Sequence, residues 1–240
     1  FPQDHETLTA APAAEWQELD CSHFWIDRKD QRSTAMCTGV SGAQTLSTTY
    51  GKQGFKVKIS AAAVYAPICG GQDSGANIGE CLEALQKYGA FPQDYKGISD
   101  TDWRAAYKTK FWQNPDSEAA KEAAKYKIEE AVFCGSDIDK FVDGIKSGAW
   151  CGQFGVGAGR AFNPGSDGWL PRFDGTGVNH AQFATGGMKK NPSTGKWGIQ
   201  AGNTWGNWGP LNGLYYMDPF EWLDARGQEL WLQRSASIPA

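Results

Sequence analysis

The sequence lacks long apolar runs and a strong excess of either charge. No stretch approaches the length of a membrane-spanning helix, and the start, FPQDHETL, has neither the basic residues nor the apolar core of a secretory signal. The 27 acidic and 23 basic residues leave a formal net charge of −4. Because no broad electrostatic field favours an anionic partner, we expect a soluble protein with no nucleic acid and no membrane as partner.

Two further features leave questions open. The chain begins at Phe1 rather than at methionine, which is typical of a processed or trimmed product. Its compartment is therefore not fixed, with a secreted or a virion-associated location as alternatives. The sequence also gives no indication of the oligomeric state.

Cysteine is scarce, and no CxxC pair of the zinc-knuckle or redox type occurs among the six. We therefore expect no metal and no other cofactor. If one cysteine is a free nucleophile, at most two disulfides can form. Cys69 with Cys81 and Cys134 with Cys151 are the first pairs to test, and a fully reduced set is an equal alternative.

Helical patterns dominate the first half of the chain. The small residues of CTGVSGAQTLSTTY, which starts at Cys37, predict a central buried helix with its amino end near that cysteine. Apolar residues spaced by four and three in ANIGECLEALQKYG, with Gly89 at the cap position, predict a second helix. The helix formers of EAAKEAAKYKIEEAVF predict a third, from about Ser117 to Phe133.

Strand patterns dominate the second half. DIDKFVDGIKSGAWCGQFGV predicts a helix, a turn and a strand. VNHAQFAT, KWGIQAGNTW and GLYYM are short strand-like pieces separated by turns such as NPSTGK, which indicates an antiparallel sheet or small barrel. The fold class is therefore α+β.

Two blocks in the last third carry the most specific motifs. VNHAQFATGG surrounds His180, and GNTWGNWGPLNGLYYM carries Asn203 and Trp205, with Asn203 23 residues after His180. These blocks resemble the histidine strand and the asparagine motif of the papain-like cysteine peptidases, where Asn-Ser-Trp-Gly precedes Trp-Gly and an aromatic strand. That family places its nucleophilic cysteine far upstream, and Cys37 precedes His180 by 143 residues.

The amino-terminal block is similar to the family pattern in spacing but departs from it in detail. Gln31 precedes Cys37 by six residues, as the family glutamine does. Thr38 stands where the family has an aromatic residue, and Thr34 occupies the position of a structural half-cystine. The disulfide at Thr34 is therefore absent, and Thr38 does not supply the family's aromatic residue beside the nucleophile.

The resemblance implies a two-lobed papain-like fold with one catalytic unit. We expect a mainly helical lobe with the nucleophile at 21–116 and a mainly β lobe with histidine and asparagine at 117–217. The resemblance spans roughly Gln31 to Met217; outside it, the polar, alanine-rich start predicts a surface arm at 1–20, and 218–240 forms a C-terminal extension. The resemblance also implies a cysteine-type endopeptidase acting on a peptide or protein substrate. The implied catalytic residues are Cys37, His180, Asn203 and Gln31, and the implied substrate-binding residues are Gly75, Ala76, Asn179 and Trp205.

These residue types suit amide hydrolysis, which needs a nucleophile, a stabilised oxyanion and a proton for the leaving amine. A free thiol titrates near about 8.5, and a helix amino terminus beside an imidazolium lowers that pKa. We therefore expect a thiolate–imidazolium pair of Cys37 and His180. Asn203 would orient the His180 ring, and Trp205 would shield the hydrogen bond between His180 and Asn203 from water. The Gln31 side chain and the Cys37 backbone N–H are the expected oxyanion donors.

Three alternatives remain at the level of sequence. The missing aromatic residue after Cys37 also fits an inactive papain-like module used for binding or as a scaffold. The same triad could act as an amidase or transpeptidase on cell-wall peptides, although no wall-binding repeat accompanies it. A tryptophan- and glycine-rich carbohydrate-binding module would need exposed indole rings.

Overall fold

A computed structural model describes residues 15–224 and 229–238, and in these residues most helices precede the strands. The helices are α1 Cys37–Lys52, α2 Ala61–Tyr65, α3 Ile78–Lys87, α4 Trp103–Lys108, α5 Glu118–Ala123, α6 Ile138–Lys146 and α7 Pro219–Trp222. The strands are β1 Ile128–Gly135, β2 Cys151–Val156, β3 His180–Lys190, β4 Trp197–Gly202, β5 Leu214–Met217 and β6 Leu230–Ala236. The α+β fold class is confirmed.

The helix α1 runs through the interior, as predicted. Every residue from Thr38 to Tyr50 is buried. A Cβ added at Gly39 would lie 2.6 Å from the Cβ of Tyr65 on α2, and one at Gly42 would lie 2.6 Å from the Sγ of Cys81 on α3. The two glycines weaken the isolated helix, but they allow two other helices to pack directly against its backbone.

The strands form one six-stranded sheet in the order β1-β6-β2-β3-β4-β5, and each neighbouring pair is antiparallel. The predicted strands around His180, Asn203 and GLYYM are confirmed as β3, β4 and β5. The residues of β6 were expected in an extension beyond the β lobe. Instead β6 lies inside the sheet, where Gln233 is opposite Ala131 of β1 on one side and Cys151 of β2 on the other.

The predicted helix from Ser117 to Phe133 is wrong in its second half. Helix α5 ends at Ala123, and β1 begins at Ile128. Glu and Ala favour a helix locally, but β1 pairs with β6 over its length and buries Ile128 and Val132. Tertiary pairing therefore overrides a modest local propensity.

Apolar side chains form two large clusters. One surrounds α1, α2 and α3, with Leu46 and Phe91 fully buried. The other lies between the sheet and α6, with Phe141 and Phe154 fully buried. The division into two lobes and the boundaries at 116 and 217 stay predictions.

The described part of the predicted arm lies along the sheet. Leu19 pairs with Met188 of β3 through two backbone hydrogen bonds of 2.9 and 2.8 Å. Residues 1–14 of the arm lie outside the described residues. None of the helices in the described ranges is long and apolar enough to span a membrane.

All six cysteines fall within the described ranges, and all are free. Cys134 on β1 and Cys151 on β2 are separated by β6, so at least two strand spacings, about 9.5 Å, lie between them. A disulfide needs Cα atoms within about 7 Å. The thiol of Cys81 lies against the carbonyl oxygen of Thr38, whereas the thiol of Cys69 lies against the carbonyl oxygen of Ala66. The structure therefore favours the reduced alternative over both suggested pairs.

Candidate active-site cleft

A cleft of about 340 Å³ lies where the amino end of α1 meets the start of β3. Helix α1 contributes Cys37 and Thr38, and the loop before α3 contributes residues 74–77. Asn179 and His180 come from the start of β3, and Glu229 comes from the segment before β6. Gly155 of β2 also lines the cleft, so the fold brings together five segments that are far apart in the sequence.

Cys37 is the first residue of α1 and is half-buried. Its neighbour Met36 is fully buried, and Gln153 of β2 holds the first turn by donating to the Thr38 carbonyl (3.1 Å) and to the Ser41 hydroxyl (2.7 Å). The unpaired N–H groups of a helix amino end favour a negative charge. The first turn of α1 is therefore both fixed and suited to a thiolate.

His180 and Asn203 form a direct hydrogen bond. The imidazole Nε2 of His180 lies 3.1 Å from the Oδ1 of Asn203, which follows the last residue of β4. The backbone N–H of Thr204 and the Nε2 of Gln182 also donate to this oxygen, at 2.7 and 2.9 Å. Because Asn203 Oδ1 can only accept, Nε2 of His180 carries the proton and Nδ1 is the basic nitrogen of the neutral ring.

Burial governs the protonation of His180, which is only 6% exposed. Desolvation lowers the pKa of the imidazole to about 4, and the hydrogen bond to Asn203 opposes this in part. Burial alone thus favours the neutral ring. The imidazolium of the expected ion pair needs a nearby negative charge, such as the thiolate of Cys37, to offset its lost hydration.

Aromatic rings enclose the His180–Asn203 pair. Trp205 stacks on the His180 ring with centroids 4.5 Å apart and planes at 25°. Phe162 contacts both rings edge-on and stacks on Trp208 at 5.0 Å. Since Trp205 and Trp208 each pack a face against another ring, they do not form the open platform that a carbohydrate-binding module would need.

Gln31 lies beside the asparagine loop rather than in the lining of the cleft. Its backbone N–H donates to the Thr204 carbonyl (2.8 Å), and its side-chain oxygen accepts from the Thr204 hydroxyl (2.6 Å). Its Nε2 donates to the carbonyl of Thr34 (2.9 Å). The amide is therefore held with its NH2 group turned towards the segment that leads to Cys37.

A buried ion cluster anchors the segment before Gln31. The ammonium group of Lys29 contacts Asp27 and lies 2.9 Å from a carboxylate oxygen of Asp100, and the Lys29 side chain is only 2% exposed. The Lys29 carbonyl accepts from the N–H of Gly206 (3.0 Å). This cluster ties the Gln31 segment to the start of α2, where Ala61 N–H donates to Asp100 (2.7 Å).

Of the four residues predicted to bind substrate, Gly75, Ala76 and Asn179 line the cleft, and Trp205 is not part of the lining. The Gly75 N–H donates to the hydroxyl of Tyr65 (3.0 Å), and the Ala76 carbonyl accepts from the hydroxyl of Thr38 (2.7 Å). Asn179 accepts from the N–H of Ala158 through its side chain (2.8 Å). Asn179 therefore also stabilises the loop after β2.

The sequence alone did not single out Gln182, Thr204 or Glu229. Gln182 follows His180 by two residues on β3, so a period-two reading of the strand places both side chains on one face. Thr204 stands in the asparagine motif, and its hydroxyl lies 3.3 Å from His180 Nε2. Glu229 accepts from Asn77 Nδ2 (3.1 Å) and from the Gly79 N–H (3.0 Å), which no local pattern indicates.

Among the described residues, no group of three or more His, Cys, Asp and Glu side chains could hold a metal ion. The site accordingly consists of a thiol, an imidazole and an amide, in a setting that combines a helix amino end with a largely buried ring. These groups can perform nucleophilic and acid–base chemistry.

Comparison with known proteins gave no matching family model and no matching curated relative. The fold, in contrast, is similar to solved structures. Xylellain, a cysteine protease from Xylella fastidiosa, has a TM-score of 0.64 at 19% identity, covering 89% of this chain and 83% of its own. The bromelain protease from Ananas comosus, solved with the E64 inhibitor, has a TM-score of 0.65 at 16% identity, covering 92% of this chain and 99% of its own.

A third similar structure is the proform of Amb a 11, a cysteine protease and ragweed pollen allergen. It has a TM-score of 0.70 at 16% identity and covers 95% of this chain. This chain spans 66% of the length of that proform. The similarity in all three cases covers both the helices around α1 and the antiparallel sheet, so the chain has the fold of the papain-like cysteine proteases.

Proposed function

We propose that the chain is a cysteine-type endopeptidase that cleaves peptide or protein substrates through Cys37, His180 and Asn203. The observation that carries this proposal is the 3.1 Å hydrogen bond from His180 Nε2 to Asn203 Oδ1, because it leaves Nδ1 as the basic nitrogen. His180 and Cys37 line the same cleft, and Cys37 begins a helix.

In the proposed acylation step, the thiol proton of Cys37 passes to His180 Nδ1 and the sulfur attacks the scissile carbonyl carbon. The carbonyl π electrons move to oxygen and form an oxyanion. When the oxyanion collapses, the C–N bond breaks, and the departing amine takes the proton from His180. The product is a thioester on Cys37.

In deacylation His180 again acts first as a base and then as an acid. His180 takes a proton from a water molecule, and the resulting hydroxide attacks the thioester carbon. The C–S bond then breaks, and the sulfur recovers its proton from His180. Asn203 keeps the ring in one orientation through both steps, since three donors fix its oxygen.

The oxyanion would be stabilised by the backbone N–H of Cys37 and by the second N–H of the Gln31 amide. The Thr204 hydroxyl and the Thr34 carbonyl hold that amide in one orientation. Preorganised donors of this kind need no rearrangement as the charge develops.

The test combines labelling with cleavage. Burial raises the pKa of the other five thiols, those of Cys81 and Cys134 to about 12. Iodoacetamide and an epoxysuccinyl inhibitor near neutral pH should therefore modify Cys37 first. A fluorogenic peptide library should be cleaved by the wild-type chain, and Cys37→Ala should lower kcat at least about 1,000-fold.

Cys69→Ala is the matched control, since Cys69 is buried outside the cleft, and it should keep full activity. Cleavage that survived Cys37→Ala would refute the proposal. A chain that is folded but neither labels at Cys37 nor cleaves any peptide would instead be an inactive binding or scaffold module. Cleavage of cell-wall peptides alone would indicate an amidase or transpeptidase.

A further inference from the structure

Thr38 links the nucleophile's helix to the loop that borders the cleft. It is the second residue of α1, it is only 2% exposed, and its hydroxyl donates to the carbonyl of Ala76 at 2.7 Å. Its own carbonyl oxygen accepts from Gln153 of β2. The hydroxyl therefore extends from a fixed first turn of α1 to a loop that is distant in sequence.

The loop at 73–76 is held at two further points, both close to Cys37 in the chain or in space. The carboxylate of Asp73 accepts from the N–H of Ala35 (2.8 Å). The hydroxyl of the fully buried Tyr65 accepts from the N–H of Gly75 (3.0 Å). Of the three contacts, only that of Thr38 comes from a residue adjacent to the nucleophile and bonds to Ala76.

The backbone groups that these contacts leave unused suit the binding of a peptide strand. In the part of the chain that the structure describes, the Gly75 carbonyl and the Ala76 N–H have no hydrogen-bond partner, and both residues line the cleft. The two groups belong to one trans peptide unit and point in opposite directions, so a peptide that adds to this exposed backbone edge pairs with one of them.

We propose that Thr38 is a positioning residue that sets the distance between the bound peptide backbone and the sulfur of Cys37. By accepting the Thr38 hydroxyl, the Ala76 carbonyl fixes the peptide plane between Ala76 and Asn77. The first turn of α1 then sets the position of both the bound peptide and the sulfur of Cys37. This proposal rests on the peptidase function proposed above, and it assigns a role to the residue at which the sequence departs from the family.

The matched variants are Thr38→Val, which has nearly the same shape but no hydroxyl, and Thr38→Ser, which keeps the donor. For Thr38→Val, we expect KM for peptide substrates to rise about tenfold with kcat within about twofold, the scale of one lost hydrogen bond. Thr38→Ser should stay close to the wild type. The rate of Cys37 alkylation by iodoacetamide should be the same in all three, because this small reagent pairs with no backbone.

A second measurement does not depend on turnover. In a Cys37→Ala background, Thr38→Val should weaken the binding of an uncleaved peptide about tenfold, measured by fluorescence polarisation. Thermal unfolding checks that each variant is folded, and Thr38→Ala replaces Thr38→Val if the valine variant is not.

Unchanged peptide KM in Thr38→Val would overturn the positioning role, as would an equal loss in Thr38→Val and Thr38→Ser. A matching fall in the alkylation rate would also overturn it, since Thr38 would then act on the nucleophile itself. A wild-type chain without labelling or cleavage is a different outcome, because it refutes the peptidase function and with it this role of Thr38.

Discussion

Trp205 lies flat on the imidazole ring of His180, with centroids 4.5 Å apart. The indole therefore covers one face of a ring whose hydrogen bond to Asn203 is already buried. Since desolvation is the main cause of the lowered pKa of His180, the two residues are coupled electrostatically as well as by packing.

Removing that cover should change the titration of His180. We expect Trp205→Ala to raise the pKa of His180 from about 4 towards its ordinary value of 6.5, because water gains access to the ring. NMR titration of the imidazole protons measures this directly, and the His180→Gln variant identifies the signal among the three histidines. Trp208→Ala is the control, since Trp208 stacks on Phe162 and not on His180. An unchanged pKa in Trp205→Ala would show that other groups keep the ring dry.

The same lowered pKa predicts how stability depends on pH. The folded protein resists protonation of His180 down to about pH 4, whereas the unfolded chain binds that proton near 6.5. Between these values the unfolded state holds more protons, so the free energy of unfolding falls as the pH falls. From pH 7 to pH 5 the loss due to His180 is about 2 kcal/mol.

Urea unfolding at pH 7 and pH 5 measures the fall in the free energy of unfolding. In His180→Gln the part of the fall that is due to His180 should be absent. If the wild type and His180→Gln lose equal stability over this interval, His180 is not the group responsible.

Gln182 should be sensitive to charge but tolerant of an apolar replacement. Its Nε2 donates to the Asn203 oxygen, and the residue is fully buried. In Gln182→Glu a buried carboxylate would face that oxygen without a donor, so we expect a loss of about 3–5 kcal/mol at pH 7. Burial raises the pKa of such a carboxyl, so part of the loss should be recovered at pH 5, opposite to the wild-type trend.

The control is Gln182→Met, which has a similar length and introduces no charge, and its loss should stay near about 1–2 kcal/mol. Urea unfolding at the two pH values separates the variants. Equal stability of the Glu and Met variants at pH 7 would contradict the hydrogen bond between Gln182 and Asn203.

The buried ammonium group of Lys29 should matter far more than an exposed one. Lys29→Met removes the cation that Asp27 and Asp100 share and leaves Asp27 only the exposed Lys58 at 4.0 Å, so we expect a loss of about 3–5 kcal/mol. Lys125→Met breaks the 2.8 Å contact with Glu122 on the surface and should change stability far less, because solvent screens an exposed pair. Chemical denaturation measures both, and similar losses would show that the Lys29 cluster is effectively hydrated.

Gly89 and Gly97 test the backbone at two positions with nearly equal left-handed φ angles, 73° and 75°. A Cβ at Gly89 would lie 2.1 Å from the carbonyl oxygen of Ala123, whereas one at Gly97 meets nothing within 4 Å. Gly97→Ala should cost about 1–2 kcal/mol from its φ angle alone. Gly89→Ala should cost clearly more, because α3 must move away from the end of α5, and thermal unfolding should rank the two variants in that order.

The sequence predicted best where a local period and a turn residue agree. Helix α3 has its apolar spacing and its glycine at the cap, and β3, β4 and β5 are separated by clear turn residues. The segment after Ala123 was predicted wrongly, because its helix formers are outweighed by pairing with β6, a strand about a hundred residues further along the chain. No local pattern contains that information.

The site shows the same limit at the level of side chains. The motif around Asn203 indicated the hydrogen bond to His180, since both residue types and their spacing lie in the sequence. Predicting the hydrogen bond between Gln182 and Asn203 requires knowing which face of β3 carries Gln182. Predicting the hydrogen bond between Thr38 and Ala76 requires knowing how closely α1 approaches the loop before α3. Contacts between elements depend on packing angles that a single sequence does not display.

The position of β6 between β1 and β2 has a consequence for synthesis on the ribosome. Among the described strands β1 pairs with β6 alone, and 101 residues separate the end of β1 at Gly135 from the end of β6 at Ala236. At translation speeds of about 5–20 residues per second, these residues take about 5 to 20 s to appear. Throughout that interval β1 of the nascent chain lacks its sheet partner, so its backbone N–H and C=O groups are free to be bound by a chaperone or by another chain.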